Sequence, residues 1–377
     1  MLAIVALAQS CSTKKAIEDL AAQLREKKIA EAQAELQALN PSPSPLPSAV
    51  PDGTSVTLSF VGDCTLAQLD QTGEGGFEDY YETYGDSYFF ANVKSIFEGD
   101  DLTVANLEGT FTKSENQADK RYTFKAQPSH VSILSHSGID VVNVANNHTH
   151  DYGNESYVDT LANLDKAGIG RFGYENTLIV DVEGVPVGFT GICEYNDQEK
   201  SIDYLTPTLK NIQSLKDQGA QIIIAVVHWG YENATDPEEE QVTAAHAMID
   251  RGADLVIGHH SHVLQGVECY KGKYIAYSLG NFCFGGNGNP SDKDTIIFQQ
   301  TFTISGGECL KYPELHIIPC SISSAAGTND YRPTPAEGDE AQRILDKFYE
   351  RCDQLDGGIS AEETTSSISP TEDSSDE

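Results

Sequence analysis

The sequence predicts an α/β fold over residues 54–352, and three observations carry that prediction. Short apolar, β-branched runs alternate with stretches whose apolar residues recur at helical spacing. The most strongly apolar run, Gln221-Ile-Ile-Ile-Ala-Val-Val227, reads as a strand. Another run, Val141-Val-Asn-Val144, reads as a buried strand, because Val suits a pleated surface. It ends in Asn146-Asn-His-Thr-His-Asp151 and is closed by Gly153. In an open α/β sheet, the loops leaving the carboxyl ends of strands are where sites are built.

The elements follow in order. Residues 57–61 form a strand ending at Gly62-Asp63, and residues 88–97 suit a helix. Residues 101–105 form a strand ending at Asn106-Leu-Glu-Gly109. Pro128 opens a helix that runs to about Gly138. After the strand at 141–144, residues 154–167 are a helix with Gly168 as its stop. Residues 178–182 and 185–190 are strands around Glu183-Gly184, and residues 208–218 are a helix. His228-Trp229-Gly230 leaves the strand at 221–227. Residues 238–251 are a helix capped by Gly252. Residues 253–257 are a strand, and Gly258-His259-His260-Ser261-His262 leaves its end. The pattern then turns to β, with strands at 263–269 and 274–278 joined near Lys271-Gly272. Two more lie at 296–304 and 310–318. A last helix covers 335–352.

The flanks have a different character. Residues 1–11 resemble the end of an export signal, with Cys11 as a lipidation site. The apolar run is far too short to span a bilayer. In residues 12–40, Ile17, Leu20 and Leu24 recur at helical spacing among charged neighbours, as in a stalk. Residues 41–53 are Pro-rich and form a semi-rigid spacer. Residues 353–377 carry acids, Ser and Thr without Lys or Arg, and are expected to be a disordered tail. Anchor, stalk, spacer and domain together place the domain at the extracellular face of the cell membrane.

The 377-residue chain carries a formal charge of −34, which argues against nucleic acid and against anionic lipid head groups as partners. None of its eight cysteines forms a C-x-x-C pair. Cys64, Cys193 and Cys283 lie in apolar, strand-like surroundings, so buried thiols are favoured over disulfides.

Five strand ends carry potential metal ligands: Asp63; Glu108; Asn147 with His148; His228; and His260 with His262. One such end would read as an ordinary turn or cap. Five in order along one α/β chain point to groups meeting at one rim. Carboxylate, amide and imidazole without thiolate suit divalent Mn, Fe or Zn. Two ions sharing a carboxylate can clamp a phosphoryl group. A neighbouring His not bound to metal can protonate a leaving group.

The ordered motifs are Gly62-Asp63, Asn106-Leu-Glu-Gly109, Asn146-Asn-His-x-x-Asp-Tyr-Gly153, His228-Trp-Gly-x-Glu232, Gly258-x-His-Ser-His262 and Ser278-Leu-Gly-Asn-Phe282. Together they resemble the CapA family, linked to poly-γ-glutamate capsule synthesis and export. That family is similar to calcineurin-like metallophosphoesterases, a four-layer α/β sandwich. The resemblance implies that Asp63 is the first metal carboxylate and Glu108 the bridging one. It implies that Asn147, His228, His260 and His262 complete the ligands, with His148 as the leaving-group acid. Asp151 orients His148 or fixes its loop. Asn106, Glu232 and Asn281 belong to the pocket without an assigned role. Phosphoesterases of this type begin Asp-x-His, whereas Thr65 stands at the third position here. An acid–base hydrolase without metal, built on His148, Glu108 and His262, therefore stays open.

Three functions compete: a surface hydrolase acting on an anionic polymer, a non-catalytic scaffold among the membrane proteins of capsule synthesis and export, and a phosphodiesterase or phosphatase. His259 and His150 read as incidental, and His130, His136, His246 and His316 as surface or satisfied core histidines. Trp229 reads either as a substrate stacker or as a core lid.

Overall fold

The computed structural model describes residues 50–69, 75–196, 199–200 and 203–366. The expected export signal and stalk, and most of the Pro-rich spacer, lie outside the described residues. Among the described residues no helix is long and apolar enough to cross a membrane.

Two sheets form the centre. The first contains β1 (Ser55–Thr65), β2 (Leu102–Leu107), β3 (Val141–Asn143) and β4 (Gly170–Phe172) in parallel. The second contains β5 (Leu178–Val182), β6 (Val185–Cys193), β7 (Ile222–His228), β8 (Leu255–His259), β9 (Val267–Tyr270) and β10 (Lys273–Ala276), ordered β9-β10-β8-β7-β6-β5. The chain then returns to the first sheet. There β11 (Asn281–Phe284) lies parallel to the end of β1, β12 (Asp294–Ser305) pairs antiparallel with β1, and β13 (Glu314–Ser321) pairs with β12.

Strand alternation builds three apolar layers, since successive side chains point to opposite faces. In β7, Ile222, Ile224 and Val226 face the space between the sheets. Ile223, Ala225 and Val227 face outward onto α5 (Leu205–Asp217) and α6 (Glu239–Arg251), where Leu209, Ile212 and Met248 meet them. In the first sheet, Val56, Leu58 and Phe60 point inward, while Val61, Ala105 and Val142 face a second helical layer. That layer holds α1 (Phe77–Tyr84), α2 (Lys94–Phe97), α3 (Val131–Ser135) and α4 (Gly153–Ala167). The result is helix, sheet, sheet, helix: the expected four-layer sandwich. A further helix, α7 (Gly338–Cys352), lays Ala341, Ile344, Leu345 and Phe348 against the inter-sheet core. Their i, i+3, i+4, i+7 spacing forms one stripe. All seven described cysteines are free thiols.

Three expectations shift. The helix expected at 88–97 is broken, because Gly85 closes α1 at φ 79° and only Lys94–Phe97 is α-helical beyond it. Phe89, Phe90, Val93 and Phe97 are buried by packing onto the sheet, and this overrides local periodicity. The helix expected from Pro128 is a 3-10 turn, Pro128–His130, followed by the single short helix α3. The tail expected from residue 353 starts later. Ile359 is buried and donates its N–H to Val267 O at 3.0 Å, and β14 (Thr365–Ser366) pairs with β13. Residues 367–377 lie outside the described set.

Two glycines let the sheets carry the site. A Cβ on Gly62 would stand 2.1 Å from Gly280 O, and one on Gly258 would stand 2.0 Å from Tyr277 O. Only Gly permits these approaches, and each sits one or two residues before a predicted ligand.

Candidate metal centre

The parallel strands β1, β2 and β3, and β7 and β8 in the other sheet, all end at one rim. Asp63 and Asn106 are paired across β1 and β2, and His228 and His259 across β7 and β8. The site therefore follows from strand direction and register.

Asp63 is fully buried and both its oxygens are engaged. Oδ1 accepts from Asn106 Nδ2 at 2.8 Å and lies 3.1 Å from His259 Nδ1. Oδ2 accepts from the His260 N–H at 3.3 Å and lies 3.3 Å from His262 Nδ1. Asn106 is itself held by Asn143, whose Nδ2 donates to its Oδ1 at 2.8 Å. Burial alone would raise the Asp63 carboxyl, but the imidazoles of His259 and His262 outweigh it and hold the group well below the usual carboxylate range.

Glu108 is the focus of the site. Its Oε1 is buried and accepts no hydrogen bond. Three imidazole Nε2 atoms converge on that oxygen: His228 at 3.6 Å, His262 at 3.8 Å and His148 at 3.9 Å. Oε2 receives a long contact of 3.4 Å from Thr65 Oγ1. Burial, with the charges of Asp63 and Glu232, pushes the Glu108 carboxyl up to about 8, and His262 offsets this only in part. Burial pushes His262 down, but Glu108, Asp63 and Glu232 reverse the shift and raise it to about 10. Burial and the neighbouring His260 hold His228 well below its ordinary value, so its imidazole is neutral and fit to be a ligand.

These contacts fit a cation. Ligand atoms about 2.1 Å from one tetrahedral ion stand about 3.4 Å apart, close to the separations around Oε1. Two groups bring their ligand atoms mutually within 4.8 Å: Glu108, His228 and His260; and Asp63, Glu108 and His262. Glu108 belongs to both. Asn147 Oδ1 lies 2.8 Å from His228 Nε2, beside the first group. Asn281 Oδ1 lies 2.9 Å from His262 Nδ1, beside the second. His260 and His262 both adopt positive φ, 93° and 57°, and two imidazoles of one tripeptide thereby reach Glu108.

His148 stands apart from the ligand groups. Its Nδ1 lies 2.7 Å from Asp151 Oδ2, leaving Nε2 toward Glu108. Burial lowers its pKa, and Asp151 opposes this only in part. Asp151 also accepts from Lys120 Nζ and from the Phe124 N–H, both at 2.6 Å.

Residues 57–286 match the family model for the bacterial capsule synthesis protein PGA_cap. The chain belongs to this capsule synthesis family. It is 30% identical over 304 residues to the capsule biosynthesis protein CapA of Bacillus anthracis, covering 74% of this chain and 72% of that one. It is 32% identical over 267 residues to the PGA biosynthesis protein CapA of Bacillus subtilis strain 168, covering 65% and 67%. Among solved structures, the purple acid phosphatase PPD1 of yellow lupin seeds shares 10% identity at a TM-score of 0.36, over 79% of this chain and 56% of that one. Every residue of the two ligand groups lies inside the span matched to the capsule synthesis family.

The structure brings together all the residues expected at this family's site. Glu232 is the outermost, exposed at the pocket mouth. His259 corrects the sequence reading: it is buried beside Asp63, not incidental. β8 runs on to residue 259, and the parity of Leu255 and Ile257 aims His259 inward, a signal that depends on where the strand stops. Lys120 had no sequence signal. His150 packs near Tyr157 and Tyr174, away from the ligands. His130, His136 and His246 pair with Glu78, Asp86 and Glu268, as ordinary structural histidines do. Trp229 is a core residue, fully buried with its N–H donated to Tyr277 O at 3.1 Å.

Proposed function

We propose that this chain is a metal-dependent, hydrolase-like domain. It acts in the synthesis, export or processing of an anionic polymer of the poly-γ-glutamate type. The observation that carries this reading is the convergence of three imidazoles on the unpartnered Oε1 of Glu108. A buried carboxylate in that setting is costly unless a cation completes it. The name of the Bacillus subtilis relative, PGA biosynthesis protein CapA, supports the polymer class.

Asp63, Glu108 and His262 would hold one divalent ion, and Glu108, His228 and His260, with Asn147 alongside, a second. The oxygen and nitrogen donors, without thiolate, suit Mn, Fe or Zn. When bound, such ions polarise the bond under attack and lower the pKa of water near neutral pH. The remaining work belongs to the chain. Asn106 and His259 fix the Asp63 carboxylate. Asp151 holds the proton on His148 Nδ1 and stabilises the imidazolium formed when Nε2 takes up a proton, which Nε2 then delivers to the leaving group. Asn281 orients His262.

The same reading places the domain on the extracellular face of the cell membrane, held by its amino terminus and working beside membrane proteins of capsule synthesis and export. The apolar residues 1–11 and the Pro-rich 41–53 support it.

The test is turnover of poly-γ-glutamate and of a generic phosphodiester by full-length protein loaded with Mn or Zn. Turnover of either that disappears with chelator and in His148→Ala, with the fold retained, supports hydrolysis, and the substrate turned over separates polymer processing from phosphoester chemistry. Metal-loaded protein inert on both refutes it and leaves the scaffold role.

A further inference from the structure

Two chambers meet at His148. One, of about 430 Å³, is bordered by Lys120, Arg121, Tyr195, Tyr231 and His260. The other, of about 400 Å³, is bordered by Asn233, His262, Asn281, Phe284 and Asn287. Tyr122, His148 and Glu232 line both. The two chambers are thus parts of one cleft that passes over the centre. One ligand group faces each side, through His260 and through His262. Each chamber alone has the size of a small-molecule site. A substrate attacked at its end needs only one of them.

The chambers differ in charge. Lys120 and Arg121 are the only Lys or Arg side chains among the described residues that line either one. Lys120 is already committed, donating to Asn147 O and pairing with Asp151. Arg121 is exposed, lies 4.9 Å from the Tyr122 ring centroid and pairs with no carboxylate among the described residues. In a chain of formal charge −34, an unpaired guanidinium beside the reacting groups is a selective feature. Its planar fork matches a carboxylate with two hydrogen bonds. The ring beneath it limits the conformations it loses on binding. In the other chamber, Asp292 is neutralised by Lys347 at 2.7 Å, and the wall is made of amides.

We propose that a polycarboxylate chain lies across the centre through both chambers, and that Arg121 is the specificity-determining residue, gripping one carboxylate of that chain on the Tyr231 side. This rests on the polymer reading of the site above. The centre then meets an internal bond of the chain, and Glu232 between the chambers repels a carboxylate placed at the wrong position.

The test is equilibrium binding to the full-length, metal-loaded protein. The probes are γ-linked glutamate oligomers of increasing length and a γ-linked glutamine oligomer as the uncharged control. Arg121→Ala is expected to weaken glutamate oligomers about tenfold and Arg121→Lys by less, with the glutamine oligomer unchanged, since only a fork–carboxylate pair is removed. Asn287→Asp, which keeps the oxygen that accepts from the Asn289 N–H at 2.9 Å, adds a charge to the other chamber. It is expected to weaken long oligomers and spare the shortest. Metal content should be unchanged in both variants, because neither residue belongs to the ligand groups. Equal affinity of wild type and Arg121→Ala overturns the assignment. So does the absence of any glutamate oligomer binding, or an Asn287→Asp effect independent of length. Binding that follows these expectations without turnover overturns hydrolysis and leaves the cleft assignment standing.

Discussion

Nδ1 of His148 lies 2.7 Å from Oδ2 of Asp151, so the carboxylate fixes which imidazole nitrogen carries the proton. The Asp151→Asn variant can present an amide N–H to the same nitrogen and reverse the tautomer. We expect turnover to fall by a factor on the order of 10²–10⁴, as for loss of a positioned acid–base group. Metal content should not change, because Asp151 lies outside both ligand groups. Rate and metal content measured on the same preparation check this. Loss of metal alongside activity would assign Asp151 to the ion instead.

Gly62 is where β1 passes closest to the segment leading into β11. The Gly62→Ala variant must displace Gly280 O, 2.1 Å from the new Cβ, and with it the 2.9 Å hydrogen bond from Asp63 N to that oxygen. Overpacking of this kind costs about 1–3 kcal/mol, to be read from denaturant unfolding. Because Asn281 is paired with Asp63 across this contact, metal affinity should fall as well.

Asp294 anchors α7 to β12. It accepts from Arg343 Nη1 and Nη2 at 2.8 and 2.6 Å and from Lys347 Nζ at 2.8 Å. Burial alone would raise its carboxyl, but these cations outweigh burial and hold it below the ordinary value. The folded pKa is thus lower than the unfolded one, about 3.9. The stabilisation is complete above that unfolded value and is lost as the pH falls through the depressed folded value. Asp294→Asn should therefore be less stable than wild type at pH 7, and the gap should close below about pH 4. Unfolding midpoints across this range decide it.

The domain extends past α7. Ending the chain at residue 352 rather than 366 removes buried Ile359, its bond to Val267 and the pairing of β14 with β13. Loss of one fully buried Ile alone costs about 1.5–3 kcal/mol, so the shorter chain should unfold at lower denaturant. Equal midpoints would show that these residues do not stabilise the domain.

Much of the site was legible in the sequence because its signals are local. Asp63, Glu108, His148, His228 and His260 each follow an apolar run, and parallel strands of a sandwich deliver such ends to one rim. What was not legible depends on contacts across the chain. Lys120 reaches Asp151 from 31 residues away, on a loop with no periodicity. His259 was hidden by two residues of uncertainty in where β8 ends. The helix expected at 88–97 failed because Phe89, Phe90 and Phe97 are placed by tertiary packing. The structured residues 353–366 failed because a Ser-, Gly- and Glu-rich composition conceals one well-packed Ile.

The central claim is that Glu108 is the carboxylate shared by two cation sites. Elemental analysis of the full-length protein purified with Mn or Zn, beside Glu108→Gln, tests it most directly. The account predicts about two equivalents in wild type and fewer than about half an equivalent in the variant, with circular dichroism unchanged. Wild-type protein holding less than about half an equivalent, or a Glu108→Gln variant loaded like wild type, would contradict it.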